Sequence, residues 1–338
     1  MADSEFSGVV LVRKENAVLF EAATGLGTRR WGVPNTLDTR FDTASITKLF
    51  TSVAVLQQVA AGRLDLERSI HDYVDLGGTA IPNDVTLLHL LTHTSGIADI
   101  AEESVDDEAG GPEGGGEDYA ALWARVPAYT ITQTADFLPL FAHKQPVAMP
   151  GVEAAYSDAG YILAGLALEN VTGQAYRQYV YDEIFTRAGM TDAGFYDRRD
   201  AAPRLAEGWD QDADGLWRAN LFAAPPIGSP AEGAQATAGD LVRFAQALRG
   251  GELLTPELSG EFLIPQVELD EETSYGFGLE FDLNRNGTTR SWYSDGVGAG
   301  ASGILRHYVE PGLDVVVLSN SEEGAWPVVR EIDERLGG

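Results

Sequence analysis

The strand-like stretches of this chain lie at its two ends, and the helix-like stretches lie between them. Near the start, residues 6–12 (FSGVVLV) and 17–22 (AVLFEA) are short apolar runs joined by Lys14-Glu15-Asn16, which predicts a β-hairpin. From Tyr275 onward, residues 275–281, 291–294, 303–309 and 313–320 again read as strands, before a closing helix over 326–336. In the middle, apolar residues recur at helical spacing over 44–60, 85–91, 131–142, 161–171, 176–188 and 240–248. Several of these segments end at a glycine suited to a C-terminal cap, such as Gly62 and Gly189. That order predicts an α/β sandwich built from both ends of the chain, residues 1–70 and 236–338, with a mainly α-helical domain, 71–235, inserted between them. The helix over 44–60 is apolar nearly all round, so it is expected to be buried centrally. Residues 101–118 are acidic and Gly-rich and read as a flexible surface insertion.

A chain of 338 residues is long enough for one large domain or two joined ones. Its charge is unusual: 52 acids against 23 bases give a formal net charge of −29, and only three of the bases are lysine. Such a surface repels nucleic acid and anionic lipid, so neither is expected as a partner. Adaptation to a salty cytoplasm and the bias of a high-GC genome explain the acidity equally well. There is no cysteine, which excludes disulfides, a thiolate nucleophile and a Cys-based metal site. The histidines lack metal-ligand spacing, so no metal or other cofactor is expected. The first residues are acidic and carry no apolar core of a signal peptide, and no stretch is long enough to span a membrane, so a soluble, cytoplasmic protein is expected.

Ser45-Ile-Thr-Lys48 opens the central helix. A lysine three residues after a serine lies on the same helical face, one turn on. Desolvation or nearby positive charge lowers a lysine pKa and lets it serve as a base toward the hydroxyl. The helix N-terminus favours a serine alkoxide. The simpler alternative is a capping serine and a solvated first-turn lysine.

Five segments together decide between these. They are Phe41-Asp-Thr-Ala-Ser-Ile-Thr-Lys48, Leu90-Leu-Thr-His-Thr-Ser-Gly-Ile97, Pro150-Gly151 with Tyr156-Ser-Asp-Ala-Gly-Tyr161, Ala236-Thr-Ala-Gly-Asp-Leu-Val-Arg-Phe244 and Ser294-Asp-Gly-Val-Gly-Ala-Gly300. In this order they resemble the motifs of the serine β-lactamase/penicillin-binding-protein superfamily. The resemblance is to its class C-like branch of β-lactamases, DD-peptidases, D-aminopeptidases and esterases. It implies an α/β (α+β), β-lactamase-like fold, an antiparallel sheet flanked by helices plus the inserted all-α domain, with the active site between the two parts. It implies Ser45 as the acylated nucleophile, Lys48 as its base partner and Tyr156 as a second proton-handling group. The backbone N–H groups of Ser45 and Val297 would form the oxyanion hole. Asp158, Ser294, Asp295 and Gly296 would line the substrate site.

Two departures from the family pattern bear on the substrate. Tyr-x-Asn becomes Tyr156-Ser157-Asp158, and an ionised Asp158 near Lys48 would favour the ammonium. It can instead accept substrate hydrogen bonds, or hold Lys48 in place. The Lys or His of the third motif becomes Ser294, followed by the anionic Asp295. In penicillin-recognising members that cation helps to bind a substrate carboxylate. The nearest sequence cations are Arg290 and Arg306, and their direction is left open. A site without the cation, in a chain of charge −29, should bind carboxylates poorly. The expected function is therefore a serine hydrolase, a carboxylesterase acting on small neutral esters through an acyl-enzyme at Ser45. The alternatives are an amide-directed member (D-aminopeptidase, DD-peptidase, transacylase or weak β-lactamase) and a non-catalytic binding protein on the same fold. A small-molecule ester or amide is the expected partner, and the oligomeric state is unreadable. His93 is expected to support a turn rather than react. Trp292 and Tyr293 suit either an acyl pocket or the core.

Overall fold

Strands whose residues are apolar at every position need cover on both faces, and that requirement sets the topology here. A computed structural model describes residues 6–101, 119–212 and 214–336. The N-terminal hairpin forms β1 (Gly8–Lys14) and β2 (Ala17–Thr24). The C-terminal strands are β3 (Val267–Glu268), β4 (Thr273–Tyr275), β5 (Glu280–Leu283), β6 (Thr289–Gly298), β7 (Ala301–Tyr308) and β8 (Leu313–Ser319). All eight make one antiparallel sheet in the order β2-β1-β8-β7-β6-β5-β4-β3. The two ends of the chain meet where β1 zips onto β8, from Gly8↔Ser319 to Lys14↔Leu313.

Every residue of β8 is buried. Val316 and Leu318 enter the larger apolar cluster, while Leu313, Val315 and Val317 enter a smaller one on the opposite face. This is strand alternation between two covered faces. Helices α1 (Thr47–Ala60) and α5 (Ala238–Arg249) belong to the larger side. Helix α6 (Trp326–Leu336) covers the other side with Trp326, Val329 and Ile332. The remaining helices used below are α2 (Leu87–Leu91), α3 (Tyr119–Arg125) and α4 (Asp158–Thr172). As its composition predicts, α1 is central: it packs on α4, and even Lys48 is only 1% exposed.

Some elements differ from the sequence expectation for local reasons. Residues 44–46 are a 3₁₀ turn preceding α1. The stretch 131–142 is a 3₁₀ turn (Thr134–Phe137) and one α-turn (Leu138–Phe141), because Pro139 has no N–H to give to a helix interior. Residues 176–188 pass from an α-turn into a wider π-turn at Tyr181–Phe185. Residues 275–281 are not one strand: Gly278, at φ 81°, turns the chain between β4 and β5. The strand expected over 291–294 runs on to Gly298, so Gly296 and Gly298 belong to β6. The acidic 101–118 stretch, beyond Ala101, falls outside the described residues. Among the described residues no helix is long and apolar enough to cross a membrane.

The face of the sheet under α6 also holds charge. Glu280 on β5 accepts the Tyr293 hydroxyl (2.9 Å), and burial followed by the Asp295 charge pushes its carboxyl up to about 7. A carboxyl raised in the folded state holds a proton that the unfolded chain has released, so stability falls as pH rises between the two pKa values. Glu280→Gln keeps an acceptor for Tyr293 and removes this titration. In urea unfolding the variant should gain roughly 2 kcal/mol more over the wild type at pH 8 than at pH 4.5. An equal change at both pH values would contradict the assignment.

Candidate active site

The turn that carries Ser45 is held from three sides. Ala44 adopts φ 43°, a left-handed conformation costing an L-residue about 1–2 kcal/mol. Its N–H donates to Asp42 Oδ1 (2.8 Å), and Asp42 is ion-paired with Arg198. The N–H and hydroxyl of Thr43 both donate to the Ala234 carbonyl (2.8 Å each), and the Ala234 N–H donates to Thr47 Oγ1 (3.0 Å). From the sheet, β6 presses close: a Cβ on Gly296 would lie 2.7 Å from both Ser45 N and Thr43 O. Only glycine allows that approach.

One helical turn beyond Ser45, Lys48 Nζ donates to Ser45 Oγ (2.9 Å), Asp158 Oδ1 (2.6 Å) and the Ala231 carbonyl (3.0 Å). These three acceptors are as many as an ammonium has protons to give. Its Nζ also lies 4.6 Å from the Tyr156 ring centroid. The Tyr156 hydroxyl donates to Ser45 Oγ (2.5 Å) and the Tyr156 side chain is 42% exposed, at the open side of the site. Asp158 begins α4 and is buried. Burial alone would raise its carboxyl, but the Lys48 charge and hydrogen bond outweigh this and hold it below the ordinary range. Of the roles left open by the sequence, the geometry shows Asp158 gripping Lys48.

Residues outside the expected set position this group. Tyr119, on α3, donates its hydroxyl to the second Asp158 oxygen. Asp99 accepts the N–H groups of Asp158 (3.0 Å), Ala159 (2.8 Å) and Ile100 (2.7 Å), a carboxylate cap on the first turn of α4. Burial followed by the Asp158 charge pushes the Asp99 carboxyl up to about 7. His93, at φ 57°, accepts the Ser157 N–H on Nδ1 (3.1 Å) and the Ala155 N–H on its carbonyl (2.7 Å). Its ring packs against those of Tyr156 (4.4 Å) and Tyr275 (4.8 Å). Burial followed by the Lys48 charge pushes the imidazole down to about 3, so His93 is neutral and anchors the Tyr156 segment. Asp99 closely follows the Thr-His-Thr-Ser-Gly turn in sequence, but no spacing rule marks it.

Along β6 the side chains alternate. Ser294 and Gly296 face the Ser45 turn; Ser294 is 5% exposed, and its hydroxyl has no hydrogen-bond partner among the described residues. Asp295 was expected to line the substrate site and does not. It lies opposite Ile304 on the α6 face, with Glu280 and Arg306 nearby. The Val297 side chain shares that far face, so only its backbone can serve the site. Residues 294–298 pair with β7 alone, because β5 stops opposite Tyr293, which leaves their second backbone edge free of a strand. Arg306 is held on the far face by Asp333 (2.6 Å), and Arg290 pairs with Asp282 (3.5 Å). Trp292 is in the core against His307, and Tyr293 is bonded to Glu280, so neither lines an acyl pocket.

This combination of fold and side chains is that of the serine hydrolases of the β-lactamase and penicillin-binding-protein class. The chain belongs to the β-lactamase family, whose model matches residues 1–336. A penicillin-binding protein of Bacillus halodurans has a similar structure, with a TM-score of 0.90 and 34% identity, covering 98% of this chain and 97% of that one. Penicillin-binding protein 4* of Bacillus subtilis is 26% identical over 336 residues, 94% of this chain and 69% of that protein. Esterase EstB of Burkholderia gladioli is 27% identical over 300 residues, 80% of this chain and 73% of its own.

The close approach of β6 is testable apart from any activity. Gly296→Ala should cost about 2 kcal/mol in urea unfolding, because the added carbon meets backbone rather than a movable side chain. Gly298→Ala, whose Cβ meets nothing within 4 Å, should cost less than about 0.5 kcal/mol. Equal costs would refute the packing described.

Proposed function

We propose that this protein is a carboxylesterase that hydrolyses small esters lacking a carboxylate through an acyl-enzyme at Ser45. The observation that carries the reading is that Ser45 Oγ lies within hydrogen-bond reach of both Lys48 Nζ and the Tyr156 hydroxyl, at 2.9 and 2.5 Å. An ammonium saturated by acceptors takes up no proton, so Lys48 acts by charge: it favours the Ser45 alkoxide and the Tyr156 phenolate. With its own proton released, the Tyr156 phenolate receives the Ser45 proton as Oγ attacks the ester carbonyl, and gives it to the leaving alkoxide. The phenolate so restored takes a proton from the water that attacks the acyl-enzyme and returns it to Ser45 Oγ as the acid leaves. The N–H groups of Ser45 and Val297 stabilise the oxyanion.

The ester preference rests on the strand facing the nucleophile. It presents the uncharged Ser294, and Arg306 is tied to Asp333 on the opposite face. The similarity to an esterase supports the same reading.

Turnover of p-nitrophenyl acetate and butyrate tests it. Ser45→Ala should lower kcat/KM at least about 10³-fold and Tyr156→Phe about 10²–10⁴-fold, and nitrocefin should be a far poorer substrate than either ester. Undiminished turnover by Ser45→Ala, or nitrocefin hydrolysis faster than ester hydrolysis, would overturn the proposal.

A further inference from the structure

The turn between β6 and β7 has two residues, Ala299 and Gly300, because Gly298 pairs with Ala301. Gly300, at φ 69°, supplies the left-handed residue that the turn needs. Away from such a turn an antiparallel hairpin alternates hydrogen-bonded and open pairs. The pair that closes the turn carries the bonds, so the next pair, Val297 and Ser302, directs its N–H groups outward. For Val297 that is the edge free of a strand, beside the Ser45 turn that Gly296 approaches. The place of the Val297 N–H therefore depends on how the tip of this hairpin is held.

Asp210 holds it. This residue lies in a short hairpin of Trp209–Gln211 and Trp217–Ala219, outside the main sheet. One of its oxygens accepts the Gly300 N–H (2.8 Å) and the Asn220 amide. The other accepts the Glu322 N–H (2.8 Å), in the segment between β8 and α6. One carboxylate thus ties the tip of the β6–β7 hairpin to the chain that leaves β8. The backbones meet as well: a Cβ on Gly300 would lie 2.4 Å from Gly208 Cα. On another side Ala299 and Gly300 border a cavity of ≈ 220 Å³, lined also by Asp200, Asn220 and Leu221, so the turn has room to shift that way. Among the described residues Asp210 is the one side chain hydrogen-bonded to either turn residue.

We infer that Asp210 is a positioning residue for the hydrolysis: by holding the Gly300 N–H it keeps the Val297 N–H aimed at the oxygen on which charge develops. The inference rests on the hydrolase reading above and adds a residue that acts through the oxyanion hole of the same site. A carboxylate that accepts backbone N–H groups makes strong, charge-assisted bonds. Oxyanion donors stabilise the transition state only when they are in place beforehand. Without the tether the tip can move toward the cavity, and a misplacement of ~1 Å at such a donor costs on the order of 10²-fold in rate. Ground-state binding does not use the developing charge, so the loss falls on kcat rather than KM.

The test compares p-nitrophenyl acetate with its thiono analogue, whose C=S sulfur is a weak hydrogen-bond acceptor and gains little from oxyanion donors. Asp210→Ala should lower kcat for the oxygen ester about 10–100-fold with KM within about threefold. The thionoester should suffer less, so the ratio of the two kcat/KM values should fall at least about threefold from that of the wild type. Asp210→Asn, which keeps one carbonyl acceptor, should restore part of both effects. Asp212→Ala loosens the same short hairpin without touching the turn, and should leave the ratio at its wild-type value. Wild-type turnover with an unchanged ratio in Asp210→Ala, whether or not activity falls, would overturn this inference and leave the hydrolase reading standing. An equal fall of the ratio in Asp212→Ala would do the same. No turnover by the wild type would overturn both. If Asp210→Ala fails to fold, the ratio in Asp210→Asn decides.

Discussion

The buried ammonium of Lys48 is the interaction on which the rest of this site depends. It ties α1 to α4 through Asp158, to the loop before α5 through the Ala231 carbonyl, and to the preceding turn through Ser45 Oγ. A charge this deeply buried is tolerable only when every proton has an acceptor and a counter-charge is near. Removing Asp158 would leave the ammonium half-compensated, and removing Lys48 would leave a buried carboxylate. The second layer answers the same demand: Tyr119 bonds the free Asp158 oxygen, and Asp99 caps the helix that Asp158 begins. The candidate catalytic group and the packing around it therefore share one network, and its members are expected to be non-additive in mutagenesis.

The sheet supplies the opposite wall. Because β1 pairs with β8, both ends of the chain are fixed to the same layer, and β6 can be pressed against the Ser45 turn without a side chain between them. Strand alternation then sorts the residues of the third motif. Ser294 and Gly296 face the Ser45 turn, while Asp295 joins the charged layer under α6. The site face of this strand carries no cation.

Much of this was legible in the sequence. The Ser45–Lys48 spacing, the apolar surround of α1, and strands at both chain ends each follow from local rules of periodicity. What was not legible depends on contacts between distant segments. The surroundings of Lys48 are set by Asp158 and Ala231, which lie 110 and 183 residues away, and the motif alone does not show them. Asp295 was misplaced because the strand was expected to end at Ser294. Once β6 runs to Gly298, period-2 alternation sends Asp295 to the far face. Asp99 and Tyr119 carry no spacing signature, and only the folded chain brings them to the site.

The central claim is that Ser45 forms the acyl-enzyme. It is tested most directly by mixing the protein with p-nitrophenyl butyrate, quenching in acid during turnover, and mapping the digested protein by mass spectrometry. The account predicts a single butyryl group on the peptide that carries Ser45, present during turnover and gone once substrate is exhausted. Sustained turnover with that peptide unmodified throughout, or with the butyryl group on another residue, would contradict it.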